Sequence, residues 1–225
     1  MKIALPTLTL LLLFSHVAHS QKTAEDHIAG GLSKYYNTDY KGSIDDFDKA
    51  LKLKPADPAK IYIHRGIAKG KLENYREAIQ DFDKAIALKP GNADAWYNRG
   101  VAKNELKQYK EAIQDFNKAI ELKSRNADAY YNRAVAKGET GNHKEEIEDY
   151  TKAITLLPDF AYAYCNRGLT ENQLGEYDKA IDDFNKTITL LPAFSNAYLY
   201  RANALYHQKN YTEAFTGHAK AVTWK

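Results

Sequence analysis

Two kinds of amphipathic stretch alternate along the chain. In Asp94–Leu106 small and aromatic residues recur three and four apart, and in Lys110–Leu122 Ala112, Phe116 and Ala119 do the same. That spacing predicts two α-helices, each near the usual length for a globular helix, separated by the polar step Lys107-Gln108-Tyr109. The pattern then returns. The phrases DFDKALKLKP, DFDKAIALKP, DFNKAIELKS, DYTKAITLLP and DFNKTITLLP put aromatic residues at Phe47, Phe82, Phe116, Tyr150 and Phe184, at spacings of 35, 34, 34 and 34. A fixed period of this size predicts an array of helical hairpins rather than one globular core. Units fall at residues 24–57, 59–92, 93–126, 127–160, 161–194 and 195–225, the last truncated.

Within the units, small residues stand where helices must approach closely: Gly66, Gly100, Ala134 and Gly168 in the first helix, and Ala78, Ala112, Ala180, Ala85, Ala119 and Ala153 in the second. Tyr62, Trp96, Tyr130, Tyr164 and Tyr198 open the first helices. Pro55, Pro90, Pro158 and Pro192 follow the second ones, where a residue that cannot continue a helix is tolerated. In the third unit Trp96, Gly100, Tyr109, Ala112, Phe116 and Ala119 carry a pattern that resembles the tetratricopeptide repeat, and the likeness extends over residues 24–225. The resemblance implies an all-α fold, a right-handed superhelical solenoid of six helix-turn-helix repeats. Some positions depart from it. Arg65, Arg99, Arg133, Arg167 and Arg201 stand where the family usually has leucine, and His143 and Glu146 replace a tyrosine and an alanine, so the fourth unit is expected to pack less tightly.

A desolvated guanidinium needs a partner, and Asp46, Asp81, Asp115, Asp149 and Asp183 precede the repeated aromatic residues. Pairing inside a unit would leave Asp46 facing Gly30 and Arg201 facing Gly217. Pairing each aspartate with the next unit's arginine leaves none over, so the expected pairs are Asp46–Arg65, Asp81–Arg99, Asp115–Arg133, Asp149–Arg167 and Asp183–Arg201.

Composition changes this picture in three places. Residues 1–20 begin with Lys2, continue through the apolar run Leu8–Phe14 and end in Ala18-His19-Ser20, the order of a cleaved secretory signal. The run is too short to span a bilayer comfortably, and the expectation is a periplasmic or secreted chain beginning near Gln21. With 32 basic and 29 acidic side chains there is no electrostatic footprint for nucleic acid. The single cysteine, Cys165, excludes an internal disulfide and zinc sites that need several thiolates. No phosphate loop, HExxH, CxxC or nucleophile elbow is present, and the scattered histidines read as packing residues. The expectation is therefore a non-enzymatic scaffold without cofactor or metal.

By the same resemblance the exposed face of the first helices lines a concave groove. The residues expected to contact an extended peptide are Tyr97, Asn98, Tyr131, Asn132, Asn166 and Leu169, with Ile63 and Cys165 at an equivalent position of other units. Asn98, Asn132 and Asn166 form a row spaced by 34. An amide carries a donor and an acceptor, so such a row can hydrogen-bond a peptide backbone without reading side chains; the competing reading is that it bridges neighbouring helices. A lysine- or arginine-based clamp for a terminal carboxylate does not fit Ile63, Tyr97, Tyr131, Cys165 and Leu199. The expected partner is a protein or peptide; the alternative is a structural or weakly self-assembling module that makes contact through its ends.

Overall fold

The computed structural model describes residues 22–223, and the segment read as a secretory signal lies outside them. The described residues form twelve α-helices: α1 (Ala24–Tyr36), α2 (Tyr40–Lys52), α3 (Pro58–Lys71), α4 (Tyr75–Leu88), α5 (Ala93–Glu105), α6 (Tyr109–Leu122), α7 (Ala127–Glu139), α8 (His143–Leu156), α9 (Ala161–Gln173), α10 (Tyr177–Leu190), α11 (Ser195–His207) and α12 (Tyr211–Thr223). Each odd-numbered helix packs on the even-numbered one that follows, and six such hairpins stack in sequence order into a solenoid.

One turn is used six times. Thr38, Glu73, Lys107, Gly141, Gly175 and Lys209 all take positive φ, between 59° and 80°. In the second hairpin Asn74 N–H donates to Lys69 C=O and Glu73 N–H to Gly70 C=O, both at 3.0 Å. Crossed bonds of this kind satisfy the last carbonyls of a helix and reverse the chain, and they require a left-handed residue at the turn. Glycine supplies it without strain only in hairpins four and five. Between hairpins, the aromatic residue that opens a first helix latches the preceding loop: Trp96 Nε1 donates to Pro90 C=O at 2.8 Å, and the Tyr198 hydroxyl to Pro192 C=O at 3.0 Å.

The core repeats with the hairpins. Phe47, Phe82, Phe116, Tyr150 and Phe184 are buried, each against the small residue of its own first helix. A Cβ added at Gly66 would sit 2.7 Å from Phe82, and one at Gly100 would sit 2.8 Å from Phe116. That contact sets the separation of the two helices.

The ion pairs correct the expected register. Arg65 binds Asp81, Arg99 binds Asp115, Arg133 binds Asp149 and Arg167 binds Asp183, each through Nε and Nη2 to both carboxylate oxygens and each within its own hairpin. The inference from unpaired ends failed because Asp46 is not unpaired. Lys34 reaches it at 2.8 Å, His27 and Lys49 stand at 3.6 Å, and Gly30 leaves room for the carboxylate. Lys69, Lys103 and Lys137 add a second cation to Asp81, Asp115 and Asp149. The link to the preceding hairpin does exist, but through Nη1: Arg65 donates to Asp48, Arg99 to Asp83, Arg133 to Asn117, Arg167 to Thr151 and Arg201 to Asn185. Arg65, Arg99, Arg133 and Arg167 thus each join three helices, with the charge neutralised inside their own unit; Arg201 has the link to the preceding hairpin alone.

Candidate functional site

First helices of neighbouring hairpins touch one another, α1 with α3, α3 with α5, α5 with α7 and α9 with α11, and no comparable contact joins second helices. The stack therefore curves with the first helices on its inner side. Three clefts follow that side. One of about 540 Å³ includes Tyr97, Asn98 and Val101, one of about 590 Å³ includes Val135, Asn166 and Leu169, and one of about 550 Å³ includes Leu199, Asn203 and Tyr206.

Tyr97, Asn98, Tyr131, Asn132, Asn166 and Leu169 are all half-buried on this side, so the inner wall brings them together as a continuous row. Their amides do two things. Asn98 Nδ2 donates to Asp94 C=O at 2.7 Å, one turn back in its own helix. Asn132 Nδ2 donates to Asp128 C=O at 2.9 Å and to the Tyr97 hydroxyl at 3.2 Å, and Asn166 Nδ2 donates to the Tyr131 hydroxyl at 3.0 Å. The row thus bridges successive hairpins with its donor ends and holds each amide in a fixed orientation. Burial pushes the Tyr97 phenol up to about 12, with the Asp128 carboxylate adding to the effect; the hydroxyl stays protonated across the physiological range.

Ile63 and Cys165 do not belong to the surface. Both are buried, because a short side chain at the register of Tyr97 and Tyr131 ends beneath the wall that the tyrosines reach through. Burial also pushes the Cys165 thiol up to about 11, which removes thiolate reactivity.

Asn104, Asn172 and the surroundings of Glu146 were not read from the sequence as part of the site. Asn104 Nδ2 donates to Asn132 C=O at 3.2 Å and Asn172 Nδ2 to Asn203 Oδ1 at 3.0 Å, a second amide pair linking consecutive first helices. In the central cleft Glu146 is 7 % exposed and takes hydrogen bonds from Thr170 at 2.8 Å and His143 at 3.0 Å. Gly138 makes this possible, since a Cβ there would lie 2.7 Å from the carboxylate. The substitutions at His143 and Glu146 were legible; that they face each other was not. Among the described residues no group of three or more histidine, cysteine or carboxylate side chains is arranged to hold a metal, and no helix is long and apolar enough to cross a membrane.

Family models for the tetratricopeptide repeat match residues 93–126 and 161–194, another for the same repeat matches 127–160, and a TPR repeat model matches 71–106. The chain is a tetratricopeptide repeat protein. Among solved structures it is similar to MamA (28 % identity, TM-score 0.68, covering 71 % of this chain and 93 % of that one). It also superposes on YrrB, described as a TPR protein with an unusual peptide-binding site (22 % identity, TM-score 0.68, covering 80 % and 92 %). A third likeness is a tetratricopeptide repeat protein from Parabacteroides merdae (19 % identity, TM-score 0.75, covering 90 % and 80 %). The last two, at these identities, speak to the fold alone. No curated protein matches closely enough to count as a relative.

Proposed function

We propose that this tetratricopeptide repeat protein is a non-catalytic scaffold that holds an extended protein segment in its inner groove. The observation that carries the reading is the row Asn98, Asn132 and Asn166, whose Nδ2 groups are tied to the protein while Oδ1 makes no hydrogen bond among the described residues. An oriented row of acceptors suits the N–H groups of a strand laid along the groove, and the faces of Tyr97 and Tyr131 with Leu169 suit apolar side chains. YrrB, a protein of the same fold, is described as binding peptide, which supports the reading. The composition of residues 1–20 supports action outside the cytoplasm after cleavage near Gln21. Intact-mass measurement of protein from its native host is expected to find Met1–Ser20 removed.

The test compares two sets of variants against a partner captured from the source extract and identified by mass spectrometry. Asn98→Ala, Asn132→Ala and Asn166→Ala combined remove the acceptors, and are expected to weaken binding by roughly one to three powers of ten at about 0.5 to 1.5 kcal/mol per hydrogen bond. Tyr97→Phe with Tyr131→Phe removes only the bridges between hairpins and should leave binding near wild type. Loss of binding in the tyrosine pair equal to that in the triple variant would reassign the amides to structure.

A second reading, contact through the ends of the solenoid, is favoured by Tyr206, Tyr211 and Phe215, which are 59 %, 56 % and 78 % exposed. Sedimentation over a wide concentration range separates the two, since weak self-association belongs to this reading alone.

A further inference from the structure

The sixth hairpin keeps the arginine and lacks its partner. In hairpins two to five, Nε and Nη2 of Arg65, Arg99, Arg133 and Arg167 grip an aspartate at 2.5 to 2.8 Å. In the sixth the aspartate position is Gly217 and the position of Lys34, Lys69, Lys103 and Lys137 is Leu205. Arg201 is otherwise held as its counterparts are: Nη1 donates to Asn185 at 2.6 Å, and the guanidinium lies over the Tyr198 ring at 6.0 Å. Its Nε, however, is buried with no hydrogen-bond partner among the described residues. A buried charged donor left unsatisfied is costly, and here it borders a cleft.

That cleft, about 330 Å³, lies between α10, α11 and α12 and is lined by Arg201, Asn185, Ile181, Leu205, Glu213 and Thr216 with Gly217. It opens among the second helices, away from the groove. Its one acidic lining residue, Glu213, is turned to Asn210, whose Nδ2 donates to it at 3.0 Å, and it makes no ion pair with Arg201. The space is real: a Cβ added at Gly217 would meet only Ala202 at 3.4 Å and the Tyr198 carbonyl at 3.7 Å, ordinary contacts.

We propose that Arg201 and the Gly217 cleft form a carboxylate-binding site, which takes from outside the chain the group that Asp81, Asp115, Asp149 and Asp183 supply from within it. The four internal pairs define the ligand's chemistry: a planar carboxylate accepting from Nε and Nη2 together, on a short aliphatic stem that Ile181 and Leu205 can cover. An aspartate or glutamate side chain of a partner polypeptide and a free short-chain carboxylate share that chemistry.

Arginine Nε–Hε resonances of the full chain in mildly acidic buffer provide the test. The probes are sodium acetate, with sodium chloride as the ionic-strength control, and N-acetyl-Gly-Asp-Gly-amide, with its Asn analogue as the neutral control. One signal, assigned to Arg201 by its disappearance in Arg201→Lys, is expected to shift saturably with acetate and with the Asp peptide, while those of the four paired arginines stay in place. A peptide midpoint at least tenfold below that of acetate identifies a polypeptide carboxylate as the ligand; an equal or higher midpoint identifies the free carboxylate. Gly217→Asp is expected to move the Arg201 signal among the paired ones, abolish the response and raise the melting temperature. The absence of a saturable shift in wild type with either probe overturns the proposal, whether or not Gly217→Asp folds. So does a Glu213→Gln variant that alone displaces the Arg201 signal of the free protein, because Glu213 would then be the occupant.

Discussion

Glu171 is where a single residue departs furthest from the logic of its repeat. It takes the position held by Lys34, Lys69, Lys103 and Lys137, so Asp183 faces a second carboxylate where Asp46, Asp81, Asp115 and Asp149 face an ammonium group. Burial and the charge of Asp183 push the Glu171 carboxyl up to about 7, against the pull of Arg167 and Lys179, and one of its oxygens is buried without a hydrogen-bond partner. The sign of the consequence follows from linkage. Between its unfolded value near 4.5 and about 7 the folded state binds more protons than the unfolded chain, so stability falls as pH rises through that window and levels off above it. A shift of this size corresponds to about 3 kcal/mol. Denaturant unfolding from pH 4.5 to 8 is expected to show that decline in wild type after subtraction of the Glu171→Gln baseline. Glu171→Lys, which restores the arrangement of the other repeats, should raise the midpoint at pH 8. A flat difference between wild type and Glu171→Gln would mean that Glu171 is ionised throughout.

Between helices, the structure depends on contacts inside each hairpin. Asp115 is buried between Arg99 and Lys103, so Asp115→Ala leaves Lys103 without a partner and Arg99 with the exposed Asp83 alone, and should cost ~3 to 5 kcal/mol. Lys118 pairs only with exposed Glu121, and Lys118→Ala should cost under ~1 kcal/mol. Equal changes in melting temperature would show that Asp115 is not desolvated. Gly100→Ala tests the neighbouring contact: its Cβ would press on Phe116, an overpacking expected to cost about 1 kcal/mol or more. Ala134 facing Tyr150 in the fourth hairpin indicates that the helices can yield. Much of this level could be read from the sequence. The period, the small residues opposite each aromatic ring and the prolines all follow from local spacing, which a solenoid preserves from unit to unit. The partner of each arginine could not, since an aspartate on the next helix and one on the previous helix share the same periodicity and only distances separate them. A signal was nonetheless present: Lys34, Lys69, Lys103 and Lys137 sit one turn beyond the arginine register, and in the first hairpin, which has no arginine there, Lys34 makes the shortest ion pair to Asp46. Groove membership was legible for the asparagines and lost for Ile63 and Cys165, because register fixes direction and side-chain length fixes reach.

At the scale of the whole molecule, stability in such an array is close to a sum of unit and nearest-neighbour terms, so the weakest junction decides how the chain opens. That junction lies between the fourth and fifth hairpins. First helices touch across the other four junctions, α1 with α3, α3 with α5, α5 with α7 and α9 with α11, but α7 and α9 make no contact of that extent. The central cleft of about 590 Å³ lies there, floored by the buried Glu146 carboxylate, which has hydrogen bonds to Thr170 and His143 and no lysine or arginine partner. Just beyond it is Glu171. Native-state hydrogen exchange should therefore find α9–α12 opening together at a lower free energy than α3–α6, rather than one global unfolding unit. Glu146→Ala supplies the residue present at this register as Ala78, Ala112 and Ala180. It removes a buried carboxyl group that has no lysine or arginine partner among the described residues, so no such cation is orphaned. Replacing a buried ionised group by an apolar one is often neutral or stabilising by about 1 to 4 kcal/mol, so the variant should raise protection in α9–α12 and leave α3–α6 unchanged. Uniform protection across both halves of the wild type would show that the junction transmits stability as well as the others do.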